Sequence, residues 1–206
     1  MKLLHIDSSI LGDNSVSRAI SAAVVARMRA LHGDNLEVVT RDLAAVPIPH
    51  LTGAYLAGKS AEVQHNQALQ EDLNLGGAAL AEFQAADIVV VGAPLYNFTI
   101  PSQLKTWVDR IVVAGETFRY TEAGAVGLAG GKRVVLALSR GGFYGPGKPY
   151  AAFEHGESYL RTVFGFIGVS NVEAILAEGV AIGPEQRKTA LDAALDAALG
   201  VSAALS

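Results

Sequence analysis

Short apolar runs alternate along the chain with longer segments whose apolar positions recur every three or four residues. Leu3–Ile6 is the first run, and the segment after it places Ile20, Val24, Met28 and Leu31 on one helical face. "NLEVVTR" (Asn35–Arg41) alternates, with Leu36, Val38 and Thr40 on one side. "DIVVVGAP" (Asp87–Pro94) and "KRVVLALS" (Lys132–Ser139) are continuously apolar, whereas "NVEAILA" (Asn171–Ala177) is interrupted by Glu173. A helix is expected from about Pro101, a residue suited to a first turn. Another is expected after Pro184, carrying Leu191, Leu195, Ala198 and Leu199.

Five strands separated by helices predict an α/β fold, a parallel sheet covered on both faces. The first, third and fourth strands are apolar enough to be central, and the second and fifth tolerate polar positions and belong at the edges. That is the doubly wound five-stranded order 2-1-3-4-5 of the flavodoxin-like group. One domain over residues 1–206 is expected, a length that buries a sizeable core. The irregular connection 43–60 is long enough to suggest a functional loop.

In such a sheet the ligand lies beyond the carboxyl ends of the strands, where the strand order reverses. Three loops meet there: "SSILGDNSVS", "APLYNFTIPSQ" and "SRGGFYGPGKP". The first has no lysine or arginine before its helix begins. Backbone amides at a helix N-terminus favour an anion through the helix dipole, and Ser9, Ser15 and Ser17 each bring a hydroxyl donor. Such an uncharged cradle suits a phosphate monoester that is held, whereas transferring a phosphoryl group needs a lysine or a metal. A second reading, in which Ser15 or Ser17 only caps the helix, stays open.

Composition narrows the classes further. The net charge of −4 argues against capture of nucleic acid or anionic lipid. No apolar run reaches the ~20 residues of a membrane span, and "MKLLHIDSS" leads directly into a strand pattern without a secretion signal. Zero cysteine removes disulfides, thiolate catalysis and cysteine metal sites, and the cytoplasm is the expected location. His50, His65 and His155 lie far apart, so no metal site is expected. His5, mid-strand, reads as a core histidine. A G-x-G-x-x-G after the first strand and a G-x-S-x-G elbow are both missing. "GLAGGKR" precedes a strand where a P-loop must follow one.

The other two loops suit a flat aromatic ligand. Leu95, Tyr96 and Phe98 offer apolar surface, with the amide of Asn97 among them. Ser139, Arg140, Gly141 and Gly142 combine a hydroxyl, a cation and two residues whose backbone can approach a ring edge closely. A phosphate tail at the first strand and a polar-edged ring over the third and fourth describe FMN.

At these residues the chain resembles the FMN-dependent NADH-azoreductases, within the wider flavodoxin-like NAD(P)H:quinone oxidoreductase family. The resemblance runs over nearly the full length, through "SSIL…SVS", "APLYNF.I..QLK.W.D", "AGETFRYTE.G..GL..GK", "SRGG", "FGFIG" and "AEG.A.GPE". It implies that Ser9, Ser15, Val16 and Ser17 hold the FMN phosphate. Leu95, Tyr96, Asn97 and Phe98 would lie along the ring, and Ser139, Arg140, Gly141 and Gly142 at its polar edge. It also implies a homodimer with two sites at the subunit interface. Its ping-pong cycle uses NADH or NADPH as donor and reduces quinones or azo compounds. Flavin carries that chemistry, so no catalytic acid, base or nucleophile is nominated.

Several residues keep two readings. Phe118, Arg119 and Tyr120 lie in a Gly-flanked insertion, 114–131, read as a hairpin at the substrate slot. Tyr120 is then a slot wall, reaching a partner subunit, or plain loop packing; Phe143 is a slot candidate by its proximity to Gly142. Lys59 meets a nicotinamide cofactor phosphate or is solvated, and Trp107 belongs to the core or to a dimer contact. Asp7, beside the expected anion, should either turn away from it or be hydrogen-bonded elsewhere. The rivals from other classes are a flavodoxin-type one-electron carrier and a non-catalytic FMN sensor. A carrier docks through a strongly acidic face, which this charge balance does not provide.

Overall fold

The fold is taken from a computed structural model that describes residues 1–60 and 63–203. Five parallel strands form the main sheet: β1 (Lys2–Asp7), β2 (Glu37–Asp42), β3 (Ile88–Pro94), β6 (Arg133–Arg140) and β7 (Asn171–Glu178). Between β3 and β6 lies a separate antiparallel hairpin, β4 (Phe118–Thr121) and β5 (Gly124–Gly127). The sheet order is β2-β1-β3-β6-β7, so the five sheet strands follow the expected 2-1-3-4-5 when the hairpin is left out of the count. His5 of β1 stands between Thr40 and Val90, and Leu136 of β6 between Val91 and Ala174.

Burial explains the order. β3 and β6 are buried along their whole length, as a strand covered on both faces must be, while β2 and β7 are only partly buried. Helices α1 (Val16–His32) and α6 (Pro184–Leu199) cover one face, where Ile20, Val24 and Met28 meet Val90, Val135 and Ala194. Helices α3 (Gln67–Ala85), α4 (Ser102–Ile111) and α5 (Glu157–Phe166) cover the other. There Trp107 is fully buried, edge-on to Phe83 at 6.0 Å, so of its two readings the core one holds. Truncating such a residue typically costs about 3–5 kcal/mol.

One detail differs from expectation. Leu199 is 63% exposed, because α6 docks through the small residues Ala194 and Ala198 and its last leucine falls outside that seam. Lys132, in the stretch that superficially resembles a P-loop, donates to the carbonyls of Gln84 and Ala86, tying the end of α3 to the start of β6.

The long connection after β2 contains a short helix, α2 (Gly53–Gly58), capped by the Thr52 hydroxyl. Arg110 anchors it from α4: its guanidinium stacks 3.6 Å from the Tyr55 ring and donates to the Pro49 carbonyl and Asp72, both at 2.8 Å. Among the described residues no helix is long and apolar enough to cross a membrane. No group of three or more His, Cys, Asp or Glu among them is placed to hold a metal ion.

Candidate functional site

The three loops at the carboxyl ends of β1, β3 and β6 are bonded to one another. The Ser9 hydroxyl lies 3.1 Å from the Tyr96 hydroxyl, joining the first loop to the second. Leu95 donates its amide to the Ser139 carbonyl at 2.8 Å, joining the second to the third. Between them is a cavity of about 140 Å³ lined by Ser9, Ser15, Val16, Leu95, Tyr96, Ser139 and Gly141. These residues, far apart in the chain, are brought together at the reversal of strand order.

The first loop is a neutral cradle. Gly12, at φ 52°, turns the chain through a short 3-10 turn, Gly12–Asn14, into α1. Ser15 is the N-cap and accepts from the Arg18 amide at 3.3 Å, so the capping reading holds for this residue. Its hydroxyl also lies 3.1 Å from that of Ser17, which is buried and does not cap the helix. The amides of Val16 and Ser17 lie in the first turn and have no carbonyl of the helix to bond. A buried patch of hydroxyls and free helix amides suits a phosphate monoester, so the residues present fit FMN's tail.

Two charged residues, one of α1 and one of β1, are paired away from that patch. Arg18 spends its guanidinium on Asp42, at 2.7 Å to each carboxylate oxygen, and on the Ser9 carbonyl. The hydrogen bond from Arg18 holds the Asp42 carboxyl below its ordinary range, with burial opposing and the amides of Ala45 and Ala44 helping. Asp7 is tied into a buried polar cluster beneath the loop. It accepts from the Ser21 hydroxyl at 2.8 Å and lies 3.4 Å from His5, itself held 3.0 Å from Ser21.

The second loop is a tight hairpin turn. Tyr96 and Thr99 exchange backbone hydrogen bonds at 2.9 and 3.1 Å around Asn97 (φ 46°) and Phe98 (φ 75°). Two consecutive left-handed residues match a type I′ turn. Asparagine tolerates that conformation, whereas phenylalanine holds it under strain, a cost that tends to be found at functional sites. The Phe98 ring is 47% exposed, 5.3 Å from Phe153 and 6.4 Å from Tyr144. The turn thus presents exposed apolar surface and an amide side by side.

In the third loop the Arg140 side chain is buried among Glu157 (2.7 Å), Glu178 (3.1 Å) and Glu154 (3.4 Å), contributed by the entry to α5 and the end of β7. Its guanidinium is thereby committed to carboxylates, and its backbone carbonyl accepts from Val180. Burial pushes the Glu154 carboxyl up, but the amides of Glu157, Ser158 and Gly156, together with Arg140, outweigh it and hold it below the ordinary range. Phe143 is half-buried. Its ring lies over Gly179, where an added Cβ would come within 3.0 Å of it, and the aromatic facing Phe98 is its neighbour Tyr144.

Tyr120 does lie in a hairpin, 75% exposed. That hairpin, however, runs between the end of α4 and the start of β6 and is tied to the end of α5 by Ala129 donating to Ile167. It therefore sits at the amino ends of the strands, opposite the crevice, so Tyr120 cannot line the slot of its own subunit. Arg187, one turn into α6, is a residue that sequence reading missed. It reaches the rim of the cavity and donates to the Asn14 carbonyl at 2.5 Å. No local motif marks it; its place in the first turn of a helix, where the dipole disfavours a cation, is the one available hint.

Residues 1–200 match the family described as flavodoxin-like fold. An FMN-dependent NADH:quinone oxidoreductase of Methylorubrum populi is 61% identical over 204 residues, covering 99% of this chain and all of that protein. The crystal structure of azoreductase AzrA superposes with a TM-score of 0.88 at 29% identity, covering 98% of this chain and 99% of that one. An FMN-dependent NADH-azoreductase from Bacillus anthracis, solved in complex with FMN, gives 0.85 at 28% identity, with 96% and 97% covered.

Proposed function

Since the chain belongs to the flavodoxin-like family of FMN-dependent NADH:quinone oxidoreductases, we propose that it reduces quinones to hydroquinones with NADH and cleaves azo compounds to aromatic amines, holding FMN as its cofactor. The observation that carries this reading is the crevice formed by the three bonded loops, where the hydroxyls of Ser9, Ser15 and Ser139 and the side chain of Arg187 converge beside Leu95 and the Tyr96 ring. FMN, when bound, supplies the redox chemistry, passing a hydride equivalent from NADH to the acceptor. A quinone needs one NADH and one proton, and full cleavage of an azo bond needs two of each.

The protein binds and orients. Ser9, Ser15 and Ser17, with the amides of Val16 and Ser17, hold the phosphate at the start of α1. Leu95, Tyr96, Asn97 and Phe98 support the ring, and Ser139 with the backbone of Arg140, Gly141 and Gly142 meets its polar edge. The strained turn fixes Asn97 and Phe98 before any ligand arrives, which lowers the ordering cost of binding. No side chain is assigned as a general acid or base.

The working unit of this reading is a cytoplasmic homodimer of one-domain chains. The hairpin exposes Tyr120, Val126 and Leu128, and Phe166 lies beside it. A patch of that kind on a surface is characteristic of an interaction site. A twofold partner turned end to end would carry this hairpin to the mouth of the other crevice, giving Tyr120 its role as a slot wall in trans.

Anaerobic mixing tests the activity. The purified protein should be yellow, its chromophore FMN by mass; NADH should bleach it and a quinone should restore the colour. Protein bleached by a one-electron donor but by neither NADH nor NADPH would instead be an electron carrier.

A further inference from the structure

We propose that Arg187 supplies, from the far end of the chain, the positive charge that the serine loop lacks, and that it makes the site select a phosphate monoester over the same ligand without one. This rests on the FMN reading above and adds a residue to it. Helices α1 and α6 pack side by side on one face of the sheet. Both follow a strand of a parallel sheet, so both begin at its carboxyl end, and their first turns lie together. Ser15 caps α1, and Arg187 stands in the first turn of α6. Its guanidinium donates to the carbonyl of Asn14, the residue before that cap, and lines the same cavity as Ser9 and Ser15.

The contrast with the neighbouring arginine is instructive. Arg18 is neutralised by a two-point pairing with Asp42, so its charge is spent. Arg187 makes no ion pair among the described residues, and a guanidinium has five N–H donors, of which the bond to Asn14 uses one. A cation in the first turn also opposes the dipole of α6, so helix stability gives no reason for an arginine there. A dianionic phosphate beside Ser15 and Ser17 would give it one.

The test compares FMN with riboflavin, which has the same ring and no phosphate, binding each to apoprotein by flavin fluorescence quenching. Arg187→Gln should raise the FMN dissociation constant by roughly 10- to 100-fold, the size of one charge-assisted hydrogen bond. It should leave riboflavin within about twofold of wild type. Arg187→Lys should recover part of the FMN affinity, and the salt dependence of FMN binding should flatten in the glutamine variant. Equal weakening of both flavins would make Arg187 a prop for the loop and overturn the proposal. So would unchanged FMN affinity with a raised KM for NADH, which would move the residue to the donor's site. A wild-type protein that binds neither flavin would overturn the functional reading itself, and this proposal with it.

Discussion

Asp7 Oδ1 accepts the Ser21 hydroxyl at 2.8 Å directly over Gly92 of the neighbouring strand, where no side chain could fit. A methyl at Gly92 would run into Asp7 Oδ1 and come within 3.1 Å of Ser21 Oγ. The acid that ends β1 is thus held in place by a glycine on the adjacent strand, far away in sequence. Gly92→Ala should cost about 1–3 kcal/mol by overpacking, a fall of several degrees in Tm by calorimetry. An unchanged Tm would mean that Asp7 moves freely and that its orientation is not enforced.

The left-handed turn allows backbone and side chain to be separated. Asn97→Gly keeps the φ of 46° accessible, so Tm should hold within a degree or two while FMN affinity falls with the lost amide. Asn97→Val should lower both, since a β-branched residue in that region is strained by about 1–2 kcal/mol. Equal flavin affinity in wild type and Asn97→Gly would remove the amide from the ring contact.

Acid should loosen the site before neutral pH does. The hydrogen bond from Arg18 lowers Asp42 from an ordinary value of 3.8; at Glu154, backbone amides and Arg140 overcome burial and lower it from 4.5. A carboxyl whose folded pKa is depressed stabilises the protein fully above its unfolded value and loses that contribution as pH falls through the folded one. Thermal stability should therefore drop below about pH 4.5. The drop should be smaller in Asp42→Asn, measured as Tm against pH, because that variant has already lost the pairing. Parallel wild-type and variant curves would contradict the assignment.

Tyr120 offers a test of the partner-subunit slot. Because the residue is 75% exposed and opposite its own crevice, Tyr120→Ser should leave Tm of the subunit fold and FMN affinity unchanged. It should raise the KM for a large quinone several-fold, and sizing should show a dimer in the wild type. A wild-type monomer with full turnover would refute the shared slot.

How much of this was legible in the sequence follows from which interactions are local. The central strands announce themselves because burial on both faces demands continuous apolar residues, as in Val89–Val91 and Val134–Leu138. The crevice follows from topology, since a reversal of strand order places Ser9, Tyr96 and Ser139 together whatever the helices contain. The pairing of Arg140 was invisible because its three glutamates sit at 154, 157 and 178, beyond any local window. Arg187 was hidden for the same reason, by its distance in sequence from Asn14. The hairpin of Tyr120 was recognisable as a hairpin, and its end of the sheet was fixed by its place between a helix's last turn and the next strand's first residue.

The most direct measurement is FMN binding to a Ser9→Val, Ser17→Val double variant whose fold is confirmed by circular dichroism. With hydroxyls replaced by methyls where the tail should rest, the purified variant should be colourless and bind added FMN at least a hundredfold more weakly than the yellow wild type, on the order of two lost hydrogen bonds to a charged group. A folded variant that remains yellow and holds the cofactor as tightly as before would show that the flavin lies somewhere else.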